Sequence, residues 1–229
     1  MKPIDFGAIP VPAYLFLLFS IIAIVLELVF CFRENELGRK VAKCFCVGCL
    51  ALMALAWHPE AWLIYVGAIF GTIGDAFLLK KHKVWPMVLG TAAFLIGHGF
   101  YIACYATLVS FEWWVYVALS VFYVLFLVIA YIPMHKIIKE GHMAFGATLY
   151  FGALVLDFLF AVFACFFGGF DYLFLAALGG VCFIVSDCFL VYTSFVKDVQ
   201  RRDFYIMSTY WLAELLIILS LSLTYSISI

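Results

Sequence analysis

The chain has 229 residues, of which 68% are apolar, 20% aromatic and only 12% charged, with a formal net charge of −1. A mean hydropathy of +1.18 leaves too little polar surface to coat a water-soluble globule, so the solvent this sequence is written for is lipid. The near-zero charge offers no basic surface for nucleic acid, and the cysteines suit packing: Cys44, Cys46 and Cys49 splay around one helix instead of converging as metal ligands.

The first apolar run, residues 11–32, spans roughly 33 Å as helix. That is longer than the apolar stretch of a signal peptide, and no Ala-x-Ala pattern follows it, so it is read as a retained helix. Further runs at 42–57, 61–79, 86–108, 113–134, 143–167, 172–196 and 204–227 are each long enough, or nearly so, to cross ~30 Å of hydrocarbon. The second is the shortest. The expected fold class is all-α: a polytopic membrane protein of eight transmembrane helices forming a single domain over residues 1–229.

The connections support that count independently of hydropathy. Twelve of the thirteen Lys and Arg fall in the odd-numbered loops, at Arg33, Arg39, Lys40 and Lys43, at Lys80, Lys81 and Lys83, at Lys136 and Lys139, and at Lys197, Arg201 and Arg202. By the positive-inside rule those loops face the cytoplasm, and an even number of helices then puts both termini on the opposite side. A short internal echo runs between Gly74-Asp75-Ala76-Phe77-Leu78-Leu79 in the third helix and Ser186-Asp187-Cys188-Phe189-Leu190-Val191 in the seventh. Two such elements four helices apart, running in the same direction, fit a parallel repeat of four plus four.

Ionisable side chains at bilayer depth cost several kcal/mol unless they face a cavity or a partner, which makes Glu27, Asp75, His98, Asp157, Asp187 and Glu214 functional candidates. Glu27, Asp75 and Asp187 precede the nearest cytoplasmic charge, Arg33, Lys80 and Lys197, by one to three helical turns, and Glu214 follows Asp203 at similar depth. These four carboxylates are expected to line one cytoplasm-facing polar cavity. Where two of them approach, repulsion and desolvation keep one protonated, giving an acid beside a base. Asp75 and Asp187 stand out because each recurs in the same local sequence beside a small neighbour, Gly74 or Ser186. Lys43 is expected at the cytoplasmic mouth of the second helix, where an ammonium could meet a phosphate head group.

At these residues the chain resembles the YhhN family of membrane lysoplasmalogenases. The carrying pieces are Gly74-Asp75-x-x-Leu78-Leu79, then Gly97-His98-x-x-Tyr101, Ser186-Asp187, and Tyr210 with Leu215-Leu216-Ile217, spread from about residue 43 onward. The resemblance implies an eight-helix hydrolase that cleaves the vinyl ether bond of a lysoplasmalogen, releasing a fatty aldehyde and glycerophosphoethanolamine or glycerophosphocholine, with no metal or organic cofactor. It makes Asp75 and Asp187 the catalytic pair and puts Lys43, His98, Tyr101 and Tyr210 in or near the substrate pocket, with Ser186, Glu214 and Glu27 as further lining candidates. Departures are Glu214, where the family usually carries glutamine, Cys44, near where a proline is common, and Asp157, where an apolar residue is expected.

Vinyl ether hydrolysis begins with protonation of the β-carbon and passes through an oxocarbenium that water captures. The step needs a water-shielded acid and a carboxylate that stabilises positive charge. The expected assignment is Asp187 as acid and Asp75 as base and electrostatic partner. The rival reading is a proton-coupled transporter of a small or lipid-like substrate, but all six prolines fall near helix ends or outside them, which argues against broken midplane helices.

Overall fold

The computed structural model describes residues 6–79, 84–169 and 172–228. After a short turn at Phe6–Ala8 come α1 (Val11–Phe32), α2 (Glu36–Trp57), α3 (Trp62–Leu78), α4 (Val84–Leu108), α5 (Trp113–Ile137), α6 (Gly141–Gly168), α7 (Leu173–Phe195) and α8 (Arg202–Ser228). Seven of these are long and apolar enough to cross a membrane. The other, α3, has 17 residues and covers about 25 Å, the low end of what a hydrocarbon core requires. The all-α polytopic architecture expected from the sequence is the one observed. The basic cluster Lys80, Lys81 and Lys83, and Asp171, lie outside the described residues.

The bounds of α1 match the apolar run, but α2 starts six residues before the expected position. Its first two turns are polar, which is why hydropathy missed them, yet they carry good helix-start chemistry. The Asn35 side chain accepts a hydrogen bond from the Gly38 N–H at 3.0 Å, Glu36 sits in the first turn, and Lys40 reaches back to Glu36 at 3.3 Å. The shortest helix is therefore α3, not α2. Likewise α5 runs three residues beyond the expected end, through Pro133, to Ile137.

Helix α8 is the hub. It packs along α7 and also touches α1, α2, α3 and α4, whereas α5 packs chiefly against α6 and turns Val121, Val124, Val128 and Ile129 outward, as a lipid-facing helix does. Charged bundle interiors need close backbones, and two crossings achieve this through glycine. A Cβ on Gly179 of α7 would lie 2.9 Å from the Ala213 carbonyl oxygen and 2.8 Å from the Ile217 side chain of α8, and one on Gly97 of α4 would lie 3.0 Å from the Gly67 carbonyl oxygen of α3. These contacts set how deeply α7 and α4 lean on the helices that carry the polar interior. Gly179→Val should cost roughly 1–3 kcal/mol by overpacking, read as a lower thermal midpoint in detergent. An unchanged midpoint would mean the α7–α8 contact is looser than described.

Candidate active site

Seven helices, α1 to α4 and α6 to α8, bury polar side chains in the interior. The deepest cluster joins three of them. Lys43 Nζ of α2 lies 3.0 Å from Asp75 Oδ1 of α3, with side-chain exposures of 9% and 1%, and the Tyr210 hydroxyl of α8 donates to Asp75 Oδ2 at 2.8 Å. Lys43 also sits over the Tyr210 ring, 5.9 Å from its centroid. Both oxygens of Asp75 are thus engaged. A buried carboxylate is tolerable only when paired and hydrogen-bonded, and this arrangement meets both conditions. The lysine expected at the mouth of α2 is in fact two turns inside it and buried, because the helix begins at Glu36.

One turn along α3, the Glu214 carboxyl of α8 lies against Gly71, where an added Cβ would come within 3.3 Å of Oε1. A larger residue at 71 would collide with it. The Tyr101 hydroxyl of α4 donates to Glu214 Oε2 at 3.2 Å. On the same face of α4, His98 Nδ1 lies 3.0 Å from Asp157 Oδ2 of α6, both residues being 2% exposed. Asp187 of α7 is buried as well. The Tyr150 hydroxyl of α6 is its hydrogen-bonding neighbour, and His98 and Lys43 are within electrostatic range. Its second oxygen, Oδ2, has no hydrogen-bond partner among the described residues. Phe94 and Phe183 wall this region edge-on, with Phe183 4.6 Å from the His98 ring and 5.3 Å from the Tyr210 ring.

Of the residues singled out in the sequence, the fold therefore gathers Lys43, Asp75, His98, Tyr101, Asp187, Tyr210 and Glu214 around one interior. Two others are committed to packing. Glu27 of α1 accepts from Trp211 Nε1 at 2.9 Å and from the Cys31 thiol at 3.1 Å, which ties α1 to α8 one layer outside Asp75. Ser186 donates to the Ile206 carbonyl of α8 at 3.0 Å. The two aspartates each have their own partners, and Tyr150 is in electrostatic range of both. Tyr150 was not among the sequence candidates. The signal for it was its spacing, seven residues before Asp157 on the same helix face.

The Lys43–Asp75 pair makes a quantitative prediction. Lys43→Met leaves Asp75 as an uncompensated buried charge and should destabilise the detergent-solubilised protein by about 3–5 kcal/mol, whereas Lys43→Met with Asp75→Asn should recover most of that loss. Thermal unfolding of the two variants checks it. Equal destabilisation by the single and double variants would contradict the pairing.

The chain matches the YhhN family over residues 38–221, from the first turns of α2 to the last turns of α8, a span that holds Lys43, Asp75, His98, Asp157, Asp187, Tyr210 and Glu214. It is 28% identical over 206 aligned residues, covering 78% of this chain and 75% of the relative, to a Homo sapiens protein named lysoplasmalogenase TMEM86A. No solved structure matches the chain. With the family match covering most of its length, this chain belongs to the YhhN family.

Proposed function

We propose that this protein is a membrane hydrolase that cleaves the vinyl ether bond of lysoplasmalogens to a fatty aldehyde and a glycerophosphodiester. The observation that carries the reading is the pair of buried aspartates in unlike surroundings, inside a protein related to a lysoplasmalogenase. Asp75 has a cation and a hydroxyl on its two oxygens. Asp187 has no cation in contact among the described residues and keeps one oxygen unspent. Two carboxyls in different environments divide the work of acid and counter-charge.

Asp187 is the group assigned the catalytic proton. Its unspent oxygen delivers that proton to the β-carbon of the alkenyl chain, and the π pair of the double bond becomes the new C–H bond. Positive charge then develops on the ether oxygen and its carbon. Asp75, fixed by Lys43 and Tyr210, supplies negative charge that needs no reorganisation as the oxocarbenium forms. The walls of Phe94, Phe183 and Tyr210 exclude bulk water, so that both electrostatic effects act in a low-dielectric setting. The alkenyl chain would arrive laterally from the lipid, where α2 and α3 present an apolar groove between Ala51, Leu55, Ile69 and Ile73.

The head group would rest at the basic end of the bundle. There a cavity of about 440 Å³ between the α1–α2 and α7–α8 connections is lined by Arg39, Arg201 and Arg202 together with Glu34, Glu36, Asp198 and Asp203. Both signs of charge suit a zwitterionic phosphodiester. By the positive-inside rule this end faces the cytoplasm and both termini face away from it.

The test is aldehyde release by purified protein from a matched set of lysophospholipids carrying 1-alkenyl, 1-alkyl or 1-acyl chains. The reading expects aldehyde from the 1-alkenyl lipid alone, with ethanolamine or choline head groups. Folded protein that releases none from either head group would shift the reading to a proton-coupled carrier.

A further inference from the structure

Oxocarbenium capture needs a group that takes a proton from water, and both oxygens of Asp75 already take a donor from the protein. We infer that His98 is the base that activates the hydrolytic water and that Asp157 is the positioning residue that makes it one. The inference rests on the hydrolase reading above.

The geometry is that of an oriented imidazole. A carboxylate can only accept, so the 3.0 Å contact from Asp157 Oδ2 fixes the hydrogen of neutral His98 on Nδ1 and leaves Nε2 with its lone pair available. Both residues are fully sequestered, at 2% exposure each. The ring is held edge-on between Phe183 at 4.6 Å and Tyr101 at 5.9 Å, so its plane cannot drift. Asp187 and Glu214 lie within electrostatic range of it, so the imidazole shares one polar interior with the acid that generates the oxocarbenium. A purely structural Asp–His pair between two helices would spend its polar atoms. Here Asp157 Oδ1 and the Tyr105 hydroxyl, two turns beyond His98 on α4, make no hydrogen bond among the described residues, so the pair is not wholly spent on joining α4 to α6. Buried polar atoms of this kind are what ordered water satisfies.

The cycle then balances. After Asp187 protonates the β-carbon, water attacks the α-carbon of the oxocarbenium. A C–O bond forms, the π pair returns to the ether oxygen, and the proton lost by water goes to Nε2. The resulting imidazolium is stabilised by the Asp157 carboxylate. Nε2–H next protonates the glyceryl ether oxygen as its bond to the α-carbon breaks, while the hemiacetal hydroxyl gives its proton to the Asp187 carboxylate. Aldehyde and alcohol leave, and both groups are restored.

The experiment follows single-turnover and steady-state hydrolysis of a 1-alkenyl lysophosphatidylethanolamine in D2O by wild type, Asp157→Asn and His98→Gln, each confirmed monodisperse in detergent. Deuterium is measured at the β-carbon of the recovered, unreacted lipid. In wild type, capture is faster than return, so recovered lipid carries no label. In both variants kcat should fall about 100- to 10,000-fold with KM within about twofold, and the recovered lipid should gain deuterium because the uncaptured oxocarbenium hands its proton back. A variant that is slow without label has lost the protonation step or its fold, and that result overturns the inference, as does wild-type turnover in either variant. A wild type that releases no aldehyde defeats the hydrolase reading itself, a different and separately visible outcome.

Discussion

An ammonium and a carboxylate withdrawn together from water, Lys43 on α2 and Asp75 on α3 at 3.0 Å, impose the constraint from which the interior is organised. Neither charge is tolerable alone at that depth, and their mutual attraction offsets desolvation only when the remaining donors and acceptors are also met. Tyr210 meets the second oxygen of Asp75, which draws α8 against α2 and α3. Once α8 is fixed there, Glu214, one turn further along the same face, lies over Gly71 and takes the Tyr101 hydroxyl, bringing in α4. His98 on α4 meets Asp157 on α6. Each polar contact between helices thus fixes the position of the next helix. The helix that offers no inward charge, α5, packs chiefly on one neighbour.

The same logic separates carboxylates whose oxygens are all partnered from those with an oxygen to spare. Glu27 has both oxygens filled by Trp211 and Cys31, and the Ser186 hydroxyl is spent on a backbone carbonyl. Those groups fasten α1 and α7 to the hub. Asp187 and Asp157 each keep an oxygen with no partner among the described residues. Among the described residues, those two are the buried carboxylate oxygens without a hydrogen-bond partner, alongside the Tyr105 and Thr224 hydroxyls.

Much of this was legible in the sequence, for identifiable reasons. Hydropathy finds helices because the bilayer requires them, and α1 is bounded as its apolar run is. It fails where a helix extends into polar interface, as α2 does through Glu36, Arg39 and Lys40, although Asn35 and Glu36 carried a helix-start signal of their own. Depth counting identified carboxylates that the fold buries, but pairing across helices cannot be read from one helix at a time. Lys43 looked like an interfacial anchor because nothing near it in sequence reveals Asp75 thirty-two residues away. Tyr150 was masked by the abundance of aromatics in an apolar run, though its i, i+7 spacing to Asp157 marked it as facing inward. Glu27 and Ser186, conversely, had the right depth and the wrong neighbours, a distinction only tertiary structure makes.

The central claim is that two aspartates, differently partnered, carry the chemistry of this interior. The most direct measurement is the rate of fatty-aldehyde release from a 1-alkenyl lysophospholipid by Asp75→Asn and Asp187→Asn, each shown to retain the thermal midpoint and detergent monodispersity of a folded protein. The account predicts loss of at least 100-fold in kcat for both, on the order of the contribution expected of a single acid or electrostatic group. Wild-type turnover in either folded variant would remove that aspartate from the reaction and contradict the account.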